Sequence, residues 1–206
     1  MLAIILFLIT LAVFVTITDE IVLEHESAFD TTIFKAVLSF QSPMATRFFE
    51  NVTFFGSSAF LFPAYAGLII ILMIKKKWIL AFDVMAIGLS TVAVLGIFKQ
   101  TFKRARPLDP LIQNVTGFSY PSGHSFSSFT FCGLLIFIIW QIQIHIAWKI
   151  AATIFLFMAA VAIAFSRVYL RVHFPSDVIA GFCLSVIWLI ISIWLLQKKD
   201  KFLPAP

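Results

Sequence analysis

The feature that most constrains this chain is a series of apolar segments, each about as long as a membrane is thick. A helix of roughly 17 to 25 apolar residues spans a hydrocarbon core of about 30 Å. Six segments approach this length: residues 2–17, 57–74, 78–98, 126–141, 147–165 and 178–196. Because 61% of the residues are hydrophobic and only 12% are charged, a soluble domain is excluded. The sequence therefore predicts an all-α integral membrane bundle of six transmembrane helices, forming a single membrane-embedded domain over residues 1–206.

The first apolar segment and the connection after it carry further predictions. Residues 1–15 are apolar from the start and lack the basic region and small-residue cleavage site of a secretory signal. We therefore expect a retained first span. Residues 18–56 change from acidic to amphipathic, with apolar side chains at near-helical spacing. This pattern predicts short interfacial helices between spans one and two, which are candidates for a lid or platform beside a functional site.

The overall charge narrows the class of partner. A formal net charge of +5 occurs without a soluble basic face, which disfavours nucleic acid and favours anionic lipid in a bilayer. The two cysteines, Cys132 and Cys183, each lie inside an apolar segment. We interpret them as small membrane-embedded hydrophobic residues, and not as a disulfide or a pair of metal ligands. No oligomeric state follows from the sequence.

Three short polar clusters interrupt the apolar sequence. The first follows the third span, the second precedes the fourth span, and the third joins the fifth span to the sixth. Their residues are Lys99 and Arg106 with Pro107, then Pro121, Ser122, Gly123 and His124, then Ser166, Arg167, His173 and Asp177. Because successive spans alternate in direction, all three clusters are predicted to reach the same membrane surface.

The cations and backbone donors of these clusters indicate an anion site. Arg106 and Arg167 each carry a planar fork that matches two phosphate oxygens, and Lys99 adds a compact charge. Ser122 and Gly123 open the fourth span, where a helix N-terminus presents unpaired N–H groups to an anion. Stabilising the charge on the phosphoryl oxygens is most of the task in phosphoryl transfer. These five residues are therefore the candidate phosphate-binding groups.

Two histidines in the same clusters supply the remaining chemistry. If the chain is helical beyond His173, then Asp177, four residues later, lies on the same face and can hold one ring nitrogen as the donor. The other ring nitrogen is then free to act as a nucleophile. His124 has no carboxylate nearby in sequence, and we interpret it as the general acid, which later activates water. His173, His124 and Asp177 are thus the candidate catalytic residues, and no metal or other cofactor is expected.

The spacing of these residues resembles the signature of the type 2 phosphatidic acid phosphatase superfamily. The three parts of that signature occur here in order, as Lys99 with Arg106 and Pro107, then residues 121–124, then residues 166–177. No position departs from the pattern. The resemblance implies a metal-independent lipid phosphatase with six spans.

The same resemblance implies roles and substrates. The positions that match His173, Asp177 and His124 are implied to be the phosphorylated nucleophile, its supporting carboxylate and the proton donor to the leaving group. The small bacterial members with six spans act on phosphatidylglycerol phosphate, undecaprenyl diphosphate or phosphatidic acid. A multi-pass protein of the bacterial cell membrane with such a substrate is implied, but the motifs do not choose among these lipids.

Other interpretations of the same residues remain open at this point. A basic pocket in a small helical bundle also suits a transporter or flippase for phospholipid headgroups, which needs no nucleophile. His25 and His145 are interpreted as packed or interfacial residues, because no motif surrounds them. Lys103 and Arg104 lie between matched positions and are interpreted as interfacial charges in contact with lipid headgroups.

The basic residues predict the orientation in the membrane. Lys and Arg favour cytoplasmic loops, but the two faces carry nearly equal numbers of them. At least three of those on the face with the polar clusters have a proposed chemical role. The lysines of the opposite face have none, and they are Lys75, Lys76, Lys77, Lys149, Lys198, Lys199 and Lys201. The lysine face is therefore predicted to be cytoplasmic and the candidate site extracytoplasmic.

Overall fold

A computed structural model describes residues 2–19, 28–113 and 115–202 of the chain. Within these residues the chain forms helices and no strand, which confirms the predicted all-α class. The helices are α1 (Leu2–Thr16), α2 (Ala28–Leu38), α3 (Pro43–Phe54), α4 (Ser58–Ile74), α5 (Trp78–Phe102), α6 (Gly123–Gln141), α7 (Ile146–Tyr169) and α8 (Pro175–Phe202). The short helices that were predicted between the first two spans are thus present as α2 and α3.

Local sequence signals set where several helices begin and end. Ser42, Ser57 and Ser122 each precede a helix, and each side chain accepts a hydrogen bond from the backbone N–H three residues later. This N-cap arrangement satisfies an amide group that the first turn leaves unpaired. Pro43 takes the first position of α3, where its missing N–H is not needed. Helix α5 ends at Phe102, and the left-handed backbone of the next residue, Lys103 (φ 46°), stops the helix.

Five helical segments are long and apolar enough to cross a membrane. They are Pro43–Ile74, Trp78–Phe102, Gly123–Gln141, Ile146–Tyr169 and Pro175–Leu196. The first of these contains α3, a short turn and α4. The remaining apolar segment, Ala3–Asp19, is shorter. A multi-pass helical membrane protein is therefore confirmed, whereas length and hydropathy support five of the six predicted spans.

Helix α6 lies among four other helices of the bundle. It packs against α7 and α8, and also against α5 and α4. Helix α1 packs against α8, while α2 and α3 lie against α7. Phe126 and Leu134 of α6 are almost fully buried, whereas Phe155 of α7 and Ile74 of α4 are more than 70% exposed and suit contact with lipid. The start of α6 is consequently enclosed by the ends of its neighbours.

Gly181 sets how closely α8 crosses the start of α6. A β-carbon at this position would lie 2.8 Å from the Ser122 carbonyl oxygen and 3.1 Å from the Phe126 amide nitrogen. Both are backbone atoms, which cannot move aside as a flexible side chain can. The Ser122 N–H also donates to the Asp177 carbonyl oxygen at 3.0 Å. This crossing therefore fixes the turn before α6 against the first turn of α8.

Gly181→Ala is expected to lower the free energy of unfolding by about 2 kcal/mol, since overpacking a tight site costs ~1 to 3 kcal/mol. The measurement is the thermal unfolding midpoint of the purified variant in detergent. Gly96→Ala on α5 is the matched control, because a β-carbon there meets no atom within 4 Å and alanine is the better helix former by up to ~1 kcal/mol. Equal midpoints for the two variants would show that the crossing of α6 and α8 tolerates a methyl group.

Candidate active site

The candidate residues of the three polar clusters lie at one end of the bundle. Lys99 is in the last turn of α5, residues 122–124 open α6, and Arg167 is in the last turn of α7. His173 and Asp177 lie where the chain passes from α7 into α8. The charged side chains are within electrostatic range of one another. The structure therefore brings together the residues that the sequence places on one surface.

The position of Asp177 differs from the predicted arrangement on one helix face. His173 lies before α8, and its Nδ1 is 3.6 Å from Asp177 Oδ2, which is beyond the length of a good hydrogen bond. Asp177 is instead the third residue of α8, and its Oδ2 accepts the N–H of Phe174 at 2.8 Å, as the acidic residue of a capping box does. The predicted helical geometry was wrong, although the two side chains do lie side by side.

Ser119 fills the gap between these two side chains. Its hydroxyl lies 3.3 Å from His173 Nδ1 and donates to Asp177 Oδ2 at 2.5 Å. Arg106 Nη1 lies 3.2 Å from the other ring nitrogen of His173, Nε2. Because a guanidinium has only donors, we assign Nε2 as the acceptor and Nδ1 as the nitrogen that carries the proton. His173 therefore presents the lone pair of Nε2 to the cations.

Burial keeps this imidazole uncharged. His173 is 2% exposed, and burial lowers its pKa to about 4; Asp177 opposes this shift, while Arg106 and Arg167 add to it. The ring is thus neutral near pH 7, the state in which Nε2 can form a bond. A neutral nitrogen among cations is suited to attack a group that carries negative charge.

Arg106 is held in place by backbone oxygens. Its Nε donates to the carbonyl oxygen of Gly117 at 2.9 Å, its Nη1 to that of Val172 at 2.7 Å, and its Nη2 to that of Thr116 at 3.0 Å. Burial lowers the pKa of this guanidinium, and Asp177 opposes the shift, but an arginine stays charged in any case. The loop after α5 therefore fixes one fork of donors beside Nε2 of His173.

Arg167 and Lys99 provide further donors at the same place. Arg167 is 5% exposed, and its Nη1 donates to Thr53 Oγ1 at 2.6 Å. Its Nε has no hydrogen-bond partner among the residues that the structure describes, and a buried donor of this kind normally has a ligand or a water to satisfy it. Lys99 Nζ donates to the carbonyl oxygen of Phe118. The two side chains therefore have donors to spare for an anion.

The start of α6 completes the anion site. Ser122 is its buried N-cap and Gly123 its first residue. Gly123 packs against the stem of Lys99, whose Cε would lie 3.9 Å from a β-carbon at this position. The ring of His124 packs against Gly56, where a β-carbon would approach His124 Cδ2 to 3.0 Å. The unpaired N–H groups of this turn and the imidazole of His124 thus lie beside the cations.

Arg104 is not the lipid-contacting charge that its sequence position indicated. Its side chain is 13% exposed and pairs with Asp30 at 2.8 Å and with Asp177 at 2.6 Å. The interpretation was wrong because these partners lie 74 and 73 positions away in the chain, which no local spacing reveals. Ser119 and Thr53 were missed for the same reason. The one feature of the sequence that could have indicated a role for Arg104 is its place two residues before Arg106.

The assembled site suits a tetrahedral anion. Three cations, a helix start and the neutral Nε2 of His173 line this site, and the imidazole of His124 lies beside the helix start. Across the described part of the chain, no group of three or more His, Cys, Asp and Glu side chains is arranged to hold a metal ion. The donors are those that bind phosphate through charged side chains and backbone N–H groups.

Comparison with known proteins gives the family of this site. The family model of the PAP2 superfamily matches residues 77–201, which is more than half of the chain. Phosphatidylglycerophosphatase B of Bacillus subtilis (strain 168) is 29% identical over 187 residues, covering 84% of this chain and 86% of that protein. An uncharacterized 22.5 kDa protein in the cps region of Klebsiella pneumoniae is 30% identical over 147 residues, covering 66% of this chain and 63% of that protein.

Two solved structures share the fold. The crystal structure of a transmembrane PAP2 type phosphatidylglycerolphosphate phosphatase from Bacillus subtilis has a TM-score of 0.79 at 26% identity, covering 98% of both chains. That of Aquifex aeolicus LpxE has a TM-score of 0.65 at 26% identity, covering 81% of this chain and 96% of that one. Sequence and fold therefore agree, and the chain belongs to the PAP2 superfamily as a membrane-embedded phosphatase.

Proposed function

We propose that this phosphatase hydrolyses lipid phosphates through a phosphohistidine at His173, with phosphatidylglycerol phosphate as its leading substrate and undecaprenyl diphosphate as the second. The observation that carries the proposal is the neutral Nε2 of His173, 3.2 Å from Arg106 within a cluster of cations. Similarity to a phosphatidylglycerophosphatase B supports the first substrate. No metal or other cofactor enters the proposed reaction.

In the first step, Nε2 of His173 attacks phosphorus and the bond between phosphorus and the lipid oxygen breaks. The Nδ1 proton stays on the ring beside Ser119 and Asp177, and the carboxylate stabilises the positive charge that develops on the imidazole. The cations and the start of α6 stabilise the phosphoryl oxygens. His124 gives a proton to the leaving alkoxide. The products of this step are N-phosphohistidine and the rest of the lipid, which is an alcohol for phosphatidylglycerol phosphate and a lipid monophosphate for undecaprenyl diphosphate.

In the second step, water attacks phosphorus and the bond between phosphorus and Nε2 breaks. His124, now without its proton, accepts a proton from the attacking water. Inorganic phosphate leaves and Nε2 regains its lone pair, so one water is consumed for each inorganic phosphate released. The phosphate-binding groups keep the same role in both steps, and they are Lys99, Arg106, Ser122, Gly123 and Arg167.

An apolar groove supports a lipid as the substrate. A cavity of about 430 Å³ lies among α4, α5 and α6, and both Gly123 and His124 contribute to its lining. Two of its apolar lining residues, Phe62 and Leu89, are 58% and 65% exposed on the outside of the bundle, so the groove is reachable from the bilayer. Because His124 is proposed to protonate the leaving oxygen, the groove lies on the side where the lipid part of the substrate departs.

We also propose six spans within a single domain over residues 1–206, with α1 as the first span. The apolar segment Ala3–Asp19 is roughly 25 Å long at 1.5 Å per residue, which is close to the thickness of a hydrocarbon core. Helix α1 packs along α8, and its Phe14 contacts Phe98 of α5 with ring centroids 5.5 Å apart. These contacts favour a helix that runs beside the other spans.

The site is proposed to face the extracytoplasmic side of the cell membrane. Arg104, like Lys99, Arg106 and Arg167, is a basic residue with a partner or role inside the protein. These four charges therefore do not indicate which side of the membrane their loops face. The lysines at residues 75–77, at the opposite end, have no proposed role in the reaction. The preference of basic residues for cytoplasmic loops therefore assigns the lysine end to the cytoplasm.

The purified protein tests this function on a panel of lipid phosphates in the presence of EDTA. Phosphatidylglycerol phosphate, undecaprenyl diphosphate and phosphatidic acid are compared in mixed micelles by the release of inorganic phosphate. We expect phosphatidylglycerol phosphate to react fastest, and glycerol 3-phosphate, which lacks a tail, to react at least ~10-fold less efficiently. Loss of all activity in EDTA would contradict the metal-free reaction. Absence of phosphate release from every lipid would favour the headgroup transporter instead.

The pH dependence of the reaction is expected to report on His173. Protonation removes the lone pair of Nε2, so the acid limb of kcat/KM is expected near pH 4 and not near 6.5, the ordinary pKa of histidine. Because the pKa is lower in the folded state, the folded protein loses stability progressively as pH falls from about 6.5 to about 4. Initial rates are measured with two substrates, so that a pKa of the enzyme can be distinguished from a pKa of the substrate. Protein that has been exposed to acid is assayed again at neutral pH to exclude unfolding. An acid limb centred at 6.5 for both substrates would contradict this prediction.

A further inference from the structure

We propose that Arg104 is a positioning residue of this reaction, held in place by Asp30 of α2, and that it aligns His173 through the carboxylate of Asp177. The inference rests on the proposed function, because it requires His173 as the nucleophile. Neither Arg104 nor Asp30 belongs to the spaced motifs described above. The basis is a continuous series of polar contacts that runs from α2 to the nucleophile.

Arg104 uses both ends of its guanidinium. Its Nη1 donates to Asp177 Oδ1 at 2.6 Å, and its Nη2 donates to Asp30 Oδ2 at 2.8 Å. Nη1 also donates to Ser176 Oγ at 2.8 Å, and Cζ lies 4.1 Å from the centre of the Phe174 ring. A guanidinium engaged at both ends and covered by an aromatic ring is fixed in orientation as well as in position.

Asp30 anchors this arginine from a helix that follows α1 and precedes the long spans. Asp30 lies in the first turn of α2 and is 1% exposed. Its Oδ1 accepts the Ser176 N–H at 2.9 Å, and its Oδ2 accepts the Ser176 hydroxyl at 2.7 Å. A carboxylate is costly to bury unless it is paired and hydrogen-bonded. Asp30 therefore fixes α2 against the start of α8 and fixes Arg104 between them.

Asp177 transmits this order to the nucleophile. Its Oδ1 is occupied by Arg104, and its Oδ2 accepts the Ser119 hydroxyl at 2.5 Å and the Phe174 N–H at 2.8 Å. Because both oxygens are engaged, the carboxylate does not rotate. Ser119 in turn lies 3.3 Å from His173 Nδ1. The ring of His173 therefore keeps one orientation, with Nε2 towards the phosphate site.

Loss of the guanidinium would free Oδ1 of Asp177 and leave two buried carboxylates without the cation that they share. The carboxylate would turn, and Nε2 of His173 would lose its alignment with phosphorus. The substrate phosphate would still be held by the cations of the site. A misaligned nucleophile weakens the transition state more than the bound substrate. The effect of Arg104 is therefore expected in kcat and not in KM.

Orthovanadate provides the test, because it binds such sites as an analogue of the five-coordinate transition state bonded to the nucleophile. Arg104→Gln is expected to lower kcat about 10 to 100-fold, by analogy with the loss of groups that orient metal-bound histidines, with KM changed less than about twofold. The inhibition constant of vanadate should rise by the same factor as kcat/KM falls. An inhibition constant does not depend on the fraction of protein that is active. A purely structural role would lower kcat and leave that constant unchanged, and this result would overturn the inference.

Further variants make the test specific. Arg104→Lys keeps the charge and should lose less kcat and less vanadate affinity than Arg104→Gln. It replaces Arg104→Gln in the test if the glutamine variant does not fold. As a single substitution, Asp30→Asn should weaken vanadate binding. Added to Arg104→Gln, it should cause no further weakening, and additive losses of vanadate affinity in the double variant would overturn the inference. Lys103→Gln, at an exposed neighbouring cation, is the control and should match the wild type. If the His173→Asn variant were active, the proposed function itself would be refuted. If His173→Asn were inactive but Arg104→Gln bound vanadate as tightly as the wild type, only the inference about Arg104 would be refuted.

Discussion

Replacing His173 with asparagine is expected to abolish phosphate release, lowering kcat by about 10⁴-fold or more. The substitution keeps a polar side chain in a position that is 2% exposed, yet it removes the nitrogen that is proposed to bond to phosphorus. Substrate binding should persist, because Arg106, Arg167 and Lys99 remain. The measurement is phosphate release from phosphatidylglycerol phosphate by the variant and the wild type in the same detergent.

His145→Asn is the matched control for this variant. His145 is exposed and caps α7 at the opposite end of the bundle, and asparagine is itself a good N-cap residue, so wild-type activity is expected. Acid-labile label from a radioactive lipid phosphate should be trapped on the wild type and on the control but not on His173→Asn. Retention of substantial activity or of the label in His173→Asn would place the nucleophile elsewhere.

The convergence of the site was predictable from the sequence because it depends on helix boundaries. Lys99, Arg167 and Asp177 each lie in the first or last turn of a long helix. Apolar segments that alternate in direction bring such turns to the same end of a bundle, whatever the details of packing. The composition of each turn then indicates the chemistry, since cations and a helix start form an anion site.

The outer contacts of the site could not be predicted in this way. Arg104 meets Asp30 across 74 positions, and Arg167 meets Thr53 across 114. Hydrophobic periodicity shows which face of a helix is buried but not which polar group lies opposite. The spacing of four residues predicted Asp177 as the neighbour of His173. The predicted geometry was wrong, because the chain at His173 forms a turn that leads into α8.

Replacing His124 with asparagine is expected to separate the two steps of the reaction. A lipid alkoxide is a strong base and needs a proton to leave, so kcat/KM for phosphatidylglycerol phosphate should fall about 10² to 10⁴-fold. The phenolate that leaves from p-nitrophenyl phosphate is stable without a proton. The value of kcat/KM depends only on the steps up to and including phosphorylation of His173. It should therefore change less than about tenfold for p-nitrophenyl phosphate. Steady-state rates on both substrates provide the measurement.

The second step gives the His124 variant a distinct signature. Hydrolysis of the phosphohistidine also requires a base, so p-nitrophenol should appear as a burst equal to the amount of enzyme, followed by slow release, and label should accumulate on His173. The packing of His124 against Gly56, together with its place in the lining of the apolar groove, is consistent with a proton donor on the side of the leaving group. If kcat/KM instead fell equally for both substrates, His124 would bind the phosphoryl oxygens, and the proton donor would have to be another group at the mouth of the groove.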